Sequence, residues 1–207
     1  MRLLHYLNTQ PNKYYFAVLS IICGFSFRYI QDWFSTYVFF IYSPCMWTFQ
    51  EYIAHRFLMH HFEPVKKQHF KHHENPTNES KIFIPIFMTL LFSLINLYPI
   101  HFLFGYKIMM VNFSSFVLCY FSFEYTHWAT HCLPNSQLLK GPIMFHTIHH
   151  VTDYNKQNVK NFGFTSATWD LLFNTCDLHT KNKKYNYLLY VPIPIIPLII
   201  VEKLNYS

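Results

Sequence analysis

Residues 82–123 read IFIPIFMTLLFSLINLYPIHFLFGYKIMMVNFSSFVLCYFSF, with Lys107 as the single charged side chain. A hydrocarbon slab about 30 Å thick takes about 20 residues of helix. The run is therefore long enough for two crossings, over 82–100 and 102–123, with a turn near His101. The same shape occurs earlier, where 14–30 (YYFAVLSIICGFSFRYI) and 33–53 (WFSTYVFFIYSPCMWTFQEYI) flank a minimal turn at Gln31 and Asp32. Arg28, Glu51 and Lys107 soften the ends of these stretches. The expected fold is all-α: a polytopic membrane protein whose four transmembrane helices form two hairpins, 14–53 and 82–123.

Composition agrees. Of 207 residues, 52% are hydrophobic and only 13% charged, which leaves little polar surface for a soluble domain. Two hairpins put the N-terminus, 54–81 and everything after Glu124 on one side. Of the Lys and Arg residues ahead of the tail, only Arg28 and Lys107 fall elsewhere. Positive loops stay cytosolic, so 54–81 and 124–186 read as cytosolic segments of a single domain, 1–207. The net charge of +6 then reflects topology and contact with anionic headgroups. No basic stripe points to nucleic acid. The polar N-terminus and the apolar run after it read as a retained signal anchor. Five cysteines without C-x-x-C spacing fit a reducing compartment. Residues 187–207 begin with an apolar, proline-rich run too short to span as a helix, and read as an interfacial tail.

The histidines give those cytosolic segments a purpose. H-x-x-H-H occurs twice, in KQHFKHHENP (His69, His72, His73) and in MFHTIHHVTDY (His146, His149, His150). Each copy follows a pair near the end of an apolar stretch: His55 and His60 in EYIAHRFLMH, His127 and His131 in EYTHWATH. Glu51-Tyr52 and Glu124-Tyr125 precede the first histidine of each half, so the halves echo one another. Positions i, i+3 and i+4 of a helix share a face, so each H-x-x-H-H is expected to aim at one centre. His55 and His60 are five apart and need a π-bulge or a helix end between them. His5, His61, His101 and His179 stand alone and read as incidental.

Ten imidazoles exceed what one metal uses, and nitrogen donors with almost no cysteine nearby exclude iron–sulfur and zinc–cysteine sites. Two metals are implied. A histidine-only cage at a membrane surface suggests two non-haem irons that activate O2, because zinc has no redox chemistry. Glu51, Glu124, Glu74 and Asp153 are the carboxylates near enough in sequence to back the ligands. Trp169 and Asp170 follow an expected helix cap at Thr165 or Ser166 and could position substrate or the last histidine box, with packing of an interfacial aromatic as the favoured reading.

The order H-x4-H, H-x2-HH, H-x3-H, H-x2-HH after paired apolar spans resembles the fatty acid hydroxylase and sterol desaturase superfamily of membrane di-iron oxygenases, over residues 47–175. EYIAHRFLMH and NFGFTSATWDLLFNT (161–175) look most like the fatty acid 2-hydroxylase branch. The resemblance implies an O2-dependent oxidoreductase that inserts one oxygen atom into an acyl C–H bond and releases the other as water. It implies two iron ions, with zinc as an alternative occupant in isolated protein, and Glu124 and Tyr125 as candidate catalytic residues. No cytochrome b5 domain precedes the first apolar stretch, so electrons are expected from a separate donor such as cytochrome b5 or a ferredoxin. A multi-pass protein of the endoplasmic reticulum membrane is the eukaryotic expectation. The short connection between His60 and His69 departs from the 2-hydroxylase pattern and keeps sterol or carotenoid hydroxylases and desaturases open as alternatives. A different class, a histidine-rich metal transporter, would place its ligands inside the spans rather than after them.

Overall fold

The computed structural model describes residues 13–63, 65–84, 86–136, 139–154 and 159–177, all helix, turn or loop. The expected tail over 187–207 lies outside these residues, as do 178–186. The helices are α1 (Lys13–Ser26), α2 (Trp33–Tyr37), α3 (Ser43–Ile53), α4 (Val65–Glu74), α5 (Glu79–Ile82), α6 (Ile86–Cys132), α7 (Lys140–Tyr154) and α8 (Thr168–Leu172). Two π-helical segments, Val38–Tyr42 and Ala54–Met59, flank α3. The contacts divide the described residues into two compact units, one within 13–47 and 83–121 and the other within 48–82 and 122–177.

In the first unit, Asp32 starts α2 with a capping box: Ser35 N donates to its carboxylate at 2.7 Å, and Asp32 N donates to Ser35 Oγ at 3.1 Å. That cap is the physical content of the turn expected at Gln31 and Asp32. Val38–Tyr42 then widens into a π turn, which frees carbonyls from the α-helical ladder. Serines take them up. Ser43 Oγ donates to Val38 O at 2.7 Å, and Ser115 Oγ on α6 donates to Phe39 O at 2.6 Å. The widened stretch also keeps an apolar face, with Val38 and Phe39 packed against Val111. Leu19 and Cys23 of α1 pack on Val117. The contacts Leu19–Val117 and Cys23–Ser114, followed just beyond α1 by Tyr29–Tyr106, run α1 antiparallel to this part of α6.

The turn expected at His101 is absent. Helix continues through Pro99 and His101, and the break falls at Gly105 (φ 79°, ψ 178°), a left-handed backbone that glycine adopts without steric cost. Among the described residues, Met88–Cys132 is the one helical element long and apolar enough to cross a membrane, and Ala17–Tyr29 is a shorter apolar helix. The stretch 33–53 is helical throughout but is divided by its π segment, so four separate spans are not seen as four uninterrupted α-helices.

The second unit is built around the end of α3, the second π segment, α4, the end of α6, α7 and the segment 159–177. Phe145 packs against Ala167, and Trp169 packs on Phe49 and donates from Nε1 to Thr48 Oγ1 at 3.0 Å. Helix α8 starts from Ala167, one residue beyond the cap expected at Thr165 or Ser166. Ser166 Oγ still accepts from Thr168 N at 3.2 Å.

Candidate metal centre

All ten box histidines belong to the second unit. His55 lies on the π segment Ala54–Met59, with His60 at its end. The wider turn brings residues five apart together, and the two ring centroids are 5.2 Å apart. The π-bulge expected between them is thus present.

Two sets of ring nitrogens converge. His55, His60, His69, His73 and His149 form one group, and His72, His131, His146 and His150 the other. In the first, Nε2 separations are 3.1 Å (His55–His69), 3.3 Å (His60–His69 and His60–His149) and 2.9 Å (His69–His73). In the second they are 2.9 Å (His131–His146) and 3.0 Å (His146–His150). His127 sits beside the second group, its Nε2 3.1 Å from that of His72. Two nitrogens bound to one metal at about 2.0–2.1 Å lie roughly 2.9–3.4 Å apart. The donor sets therefore fit two metal ions.

The boxes do not each serve one centre as expected. On a helix, i+4 lies about 40° to one side of i and i+3 about 60° to the other. His69 and His73 accordingly join the first group, while His72 turns to the second. His146 and His150 join the second, while His149 turns to the first. Each half thus contributes most of one group and a single i+3 ring to the other.

Burial, reinforced by neighbouring imidazoles, holds His55, His69, His146 and His149 well below the ordinary histidine value of 6.5, and His72 is pushed down to about 2. Neutral rings are the form that ligates metal. In metal-free protein these rings stay neutral when folded but take up protons on unfolding below pH 6.5. The unfolded state then binds more protons, so stability is lost as pH is lowered. The denaturation midpoint of the stripped chain is expected to drop between about pH 7 and pH 5, with more than one proton taken up per unfolding event. A flat midpoint across that range contradicts the packed neutral rings.

The segment 159–177 backs the first group. His55 Nδ1 donates to Phe162 O at 2.6 Å and His149 Nδ1 to Lys160 O at 2.8 Å, which leaves each Nε2 as the metal-facing nitrogen. Phe164 stacks on His55 (4.6 Å, 18°) and lies 4.6 Å and 4.7 Å from the rings of His127 and His146. Two buried carboxylates hold this segment. Asp170 accepts from Phe162 N, Gly163 N and Thr175 Oγ1, each at 2.8 Å. Glu51 accepts from Phe164 N at 2.6 Å, Thr165 N at 2.9 Å and Thr165 Oγ1 at 2.6 Å. Burial pushes Asp170 up to about 6, against the pull of these donors, so it remains ionised at neutral pH. Arg56 Nη1 donates to Tyr52 OH at 2.6 Å, and that hydroxyl lies 3.0 Å from Thr175 Oγ1.

Among the carboxylates expected behind the ligands, Glu51 holds loop backbone and Glu74 is exposed. The side chain of Asp153 lies outside the described residues. Glu124 is fully buried, and Tyr125 is buried with its ring 6.0 Å from that of Trp128. Asp170, read from sequence chiefly as a packing residue, is here a backbone acceptor. The carbonyls of Lys160 and Phe162 were not foreseen, since main-chain acceptors leave no mark in side-chain identity.

Residues 40–175 match the family described as fatty acid hydroxylase. The chain belongs to the fatty acid hydroxylase family. Among its relatives, this family member is 32% identical over 149 residues to the ceramide very long chain fatty acid hydroxylase scs7 of Schizosaccharomyces pombe, covering 66% of this chain and 42% of that protein. It is 25% identical to the fatty acid 2-hydroxylase of Mus musculus, over 66% of this chain and 38% of that protein. It is 27% identical to the dihydroceramide fatty acyl 2-hydroxylase FAH1 of Arabidopsis thaliana, over 63% and 56%. The fatty acid hydroxylase segment therefore spans roughly two-fifths to just over half the length of these relatives. These relatives bear out the resemblance to the 2-hydroxylase branch. No solved structure matches the chain.

Proposed function

We propose that this chain is an O2-dependent membrane oxidoreductase that hydroxylates a C–H bond of a fatty acid or fatty acyl chain. The observation that carries the reading is the convergence of two imidazole groups at metal-ligand separations. His55, His60, His69, His73 and His149 would hold one iron. His72, His131, His146 and His150, with His127 beside them, would hold the other. Bound iron supplies the redox chemistry that O2 activation needs. The reaction consumes one C–H bond, O2, two electrons and two protons, and yields an alcohol and water. The electrons come from a separate donor protein of the cytochrome b5 or ferredoxin class.

The chain's own residues do three things in this reading. The carbonyls of Lys160 and Phe162 fix the tautomers of His149 and His55. Phe162 and Phe164 give the ring cluster an apolar wall, which favours a dry site. Glu124, one turn ahead of His127, and Tyr125 are the candidates for catalytic positions. Membrane residence is supported by the apolar side chains that the first unit exposes, among them Ile21, Phe25, Leu94, Phe102 and Leu103. In this topology 14–53 and 82–123 cross as two hairpins, and 54–81 and 124–186 face the cytosol.

The test is lipid profiling of cells making the intact chain or its His150→Ala variant, with His61→Ala as control. A hydroxylated acyl species present with the chain and His61→Ala and missing with His150→Ala is the expected result. A new double bond instead would move the assignment to a desaturase. Zinc flux into vesicles without lipid oxidation would replace the enzyme with a transporter.

A further inference from the structure

We propose, resting on the two-metal reading above, that Phe164 is a positioning residue for both metal positions at once, its one aromatic ring holding imidazoles of both donor groups. The ring stacks on His55 of the first group at 4.6 Å and 18°. It also lies 4.7 Å from His146 of the second group and 4.6 Å from His127 beside that group. These are contact separations for aromatic rings. The three histidines come from three elements: the π segment after α3, the end of α6, and α7. Phe162, two residues earlier, has a narrower reach. The histidine rings against it are His55, His60 and His149, at 5.7, 5.5 and 5.6 Å, all of the first group.

A side chain can hold others only if it is itself held. Phe164 is buried, and Phe123 packs on it edge-on at 5.0 Å and 83°. Its N–H donates to the Glu51 carboxylate at 2.6 Å, and Thr165 gives that carboxylate two further donors, N at 2.9 Å and Oγ1 at 2.6 Å. Asp170 takes the N–H groups of Phe162 and Gly163. Four consecutive main-chain donors are thereby fixed, which leaves the Phe164 ring little freedom to swing away from the histidines. An imidazole already wedged in one orientation loses less freedom when metal binds. Removing the wedge therefore weakens binding, by about 2–10-fold for each ring that must then be ordered. Because one ring wedges members of both groups, the loss falls on both positions.

The experiment uses the full chain in detergent micelles, stripped of metal and titrated with Zn2+ against a competing chromogenic chelator. Two backgrounds separate the positions without altering a ring that Phe164 contacts. His131→Ala keeps the first position and His69→Ala the second, each expected to bind one Zn2+ where wild type binds two. In both backgrounds Phe164→Leu, which keeps an apolar side chain but not the flat ring, is expected to lower Zn2+ affinity by about 2–10-fold. Phe162→Leu is expected to do so only in His131→Ala, a split that a general loosening of the fold would not give. Thr165→Val removes one hydroxyl from Glu51 but keeps the backbone bonds, and is expected to lower both constants by a smaller factor. If Phe164→Leu does not fold, this variant decides. Phe164→Leu lowering one constant alone or neither, Phe162→Leu lowering both, or Thr165→Val leaving either constant unmoved where it decides overturns the proposal. Absence of any bound Zn2+ in wild type would instead remove the metal reading itself.

Discussion

Replacing His149 by alanine is expected to abolish product formation and to empty the metal position built otherwise from the first half of the chain, although His149 lies in the second box. Its Nε2 sits 3.3 Å from that of His60, and its ring centroid is 4.3 Å from that of His55. Loss of a direct ligand exceeds loss of a supporting acceptor, so metal affinity at that position should fall by more than about 100-fold. His72→Ala is the mirror case and should empty the other position. Metal analysis of double variants separates the possibilities. His149→Ala combined with His55→Ala should still retain one metal per chain, whereas His149→Ala combined with His146→Ala should retain none. The opposite pattern would mean that each box serves its own centre after all.

The second large effect concerns Gly163. A Cβ placed there would stand 2.0 Å from the carbonyl oxygen of Ser166 and 3.1 Å from Asp170 Oδ2. Relief by backbone movement is closed off, since the N–H groups of Phe162, Gly163 and Phe164 are all committed to buried carboxylates. Gly163→Ala is therefore expected to destabilise the fold by about 1–3 kcal/mol or more, the usual range for overpacking. Metal at the first position should be lost with it, because the carbonyl facing His55 belongs to the preceding residue. Gly24→Ala, where an added Cβ meets nothing within 4 Å, is the control. Thermal unfolding of both variants reads the difference, and an unchanged midpoint for Gly163→Ala would remove the close approach from consideration.

The helical class and the clustering of ten histidines were legible because side-chain identity carries them. Apolar runs announce helices, and H-x-x-H-H at i, i+3, i+4 announces ligands. The need for a π turn between His55 and His60 also followed from counting residues. Other features were hidden by the same method. A shared helical face suggested one centre per box, but i+3 and i+4 diverge by about 100°, which is enough for neighbouring rings to serve different ions. The break at Gly105 was misplaced to His101 because a glycine in an apolar run has the composition of a span. The division of 33–53 by a π segment depends on Ser43 and Ser115 accommodating freed carbonyls, and Ser115 lies 76 residues from its partner Phe39. For Asp170 the sequence offers a positioning role but favours packing, since the donors it holds belong to the main chain.

The exchange of one ring between halves has a consequence for synthesis. The donor sets finish almost together as the polypeptide lengthens, one at His149 and the other at His150. A nascent chain that stops short of α7 carries imidazoles but a full set for neither position, so neither donor set is complete until α7 has been made.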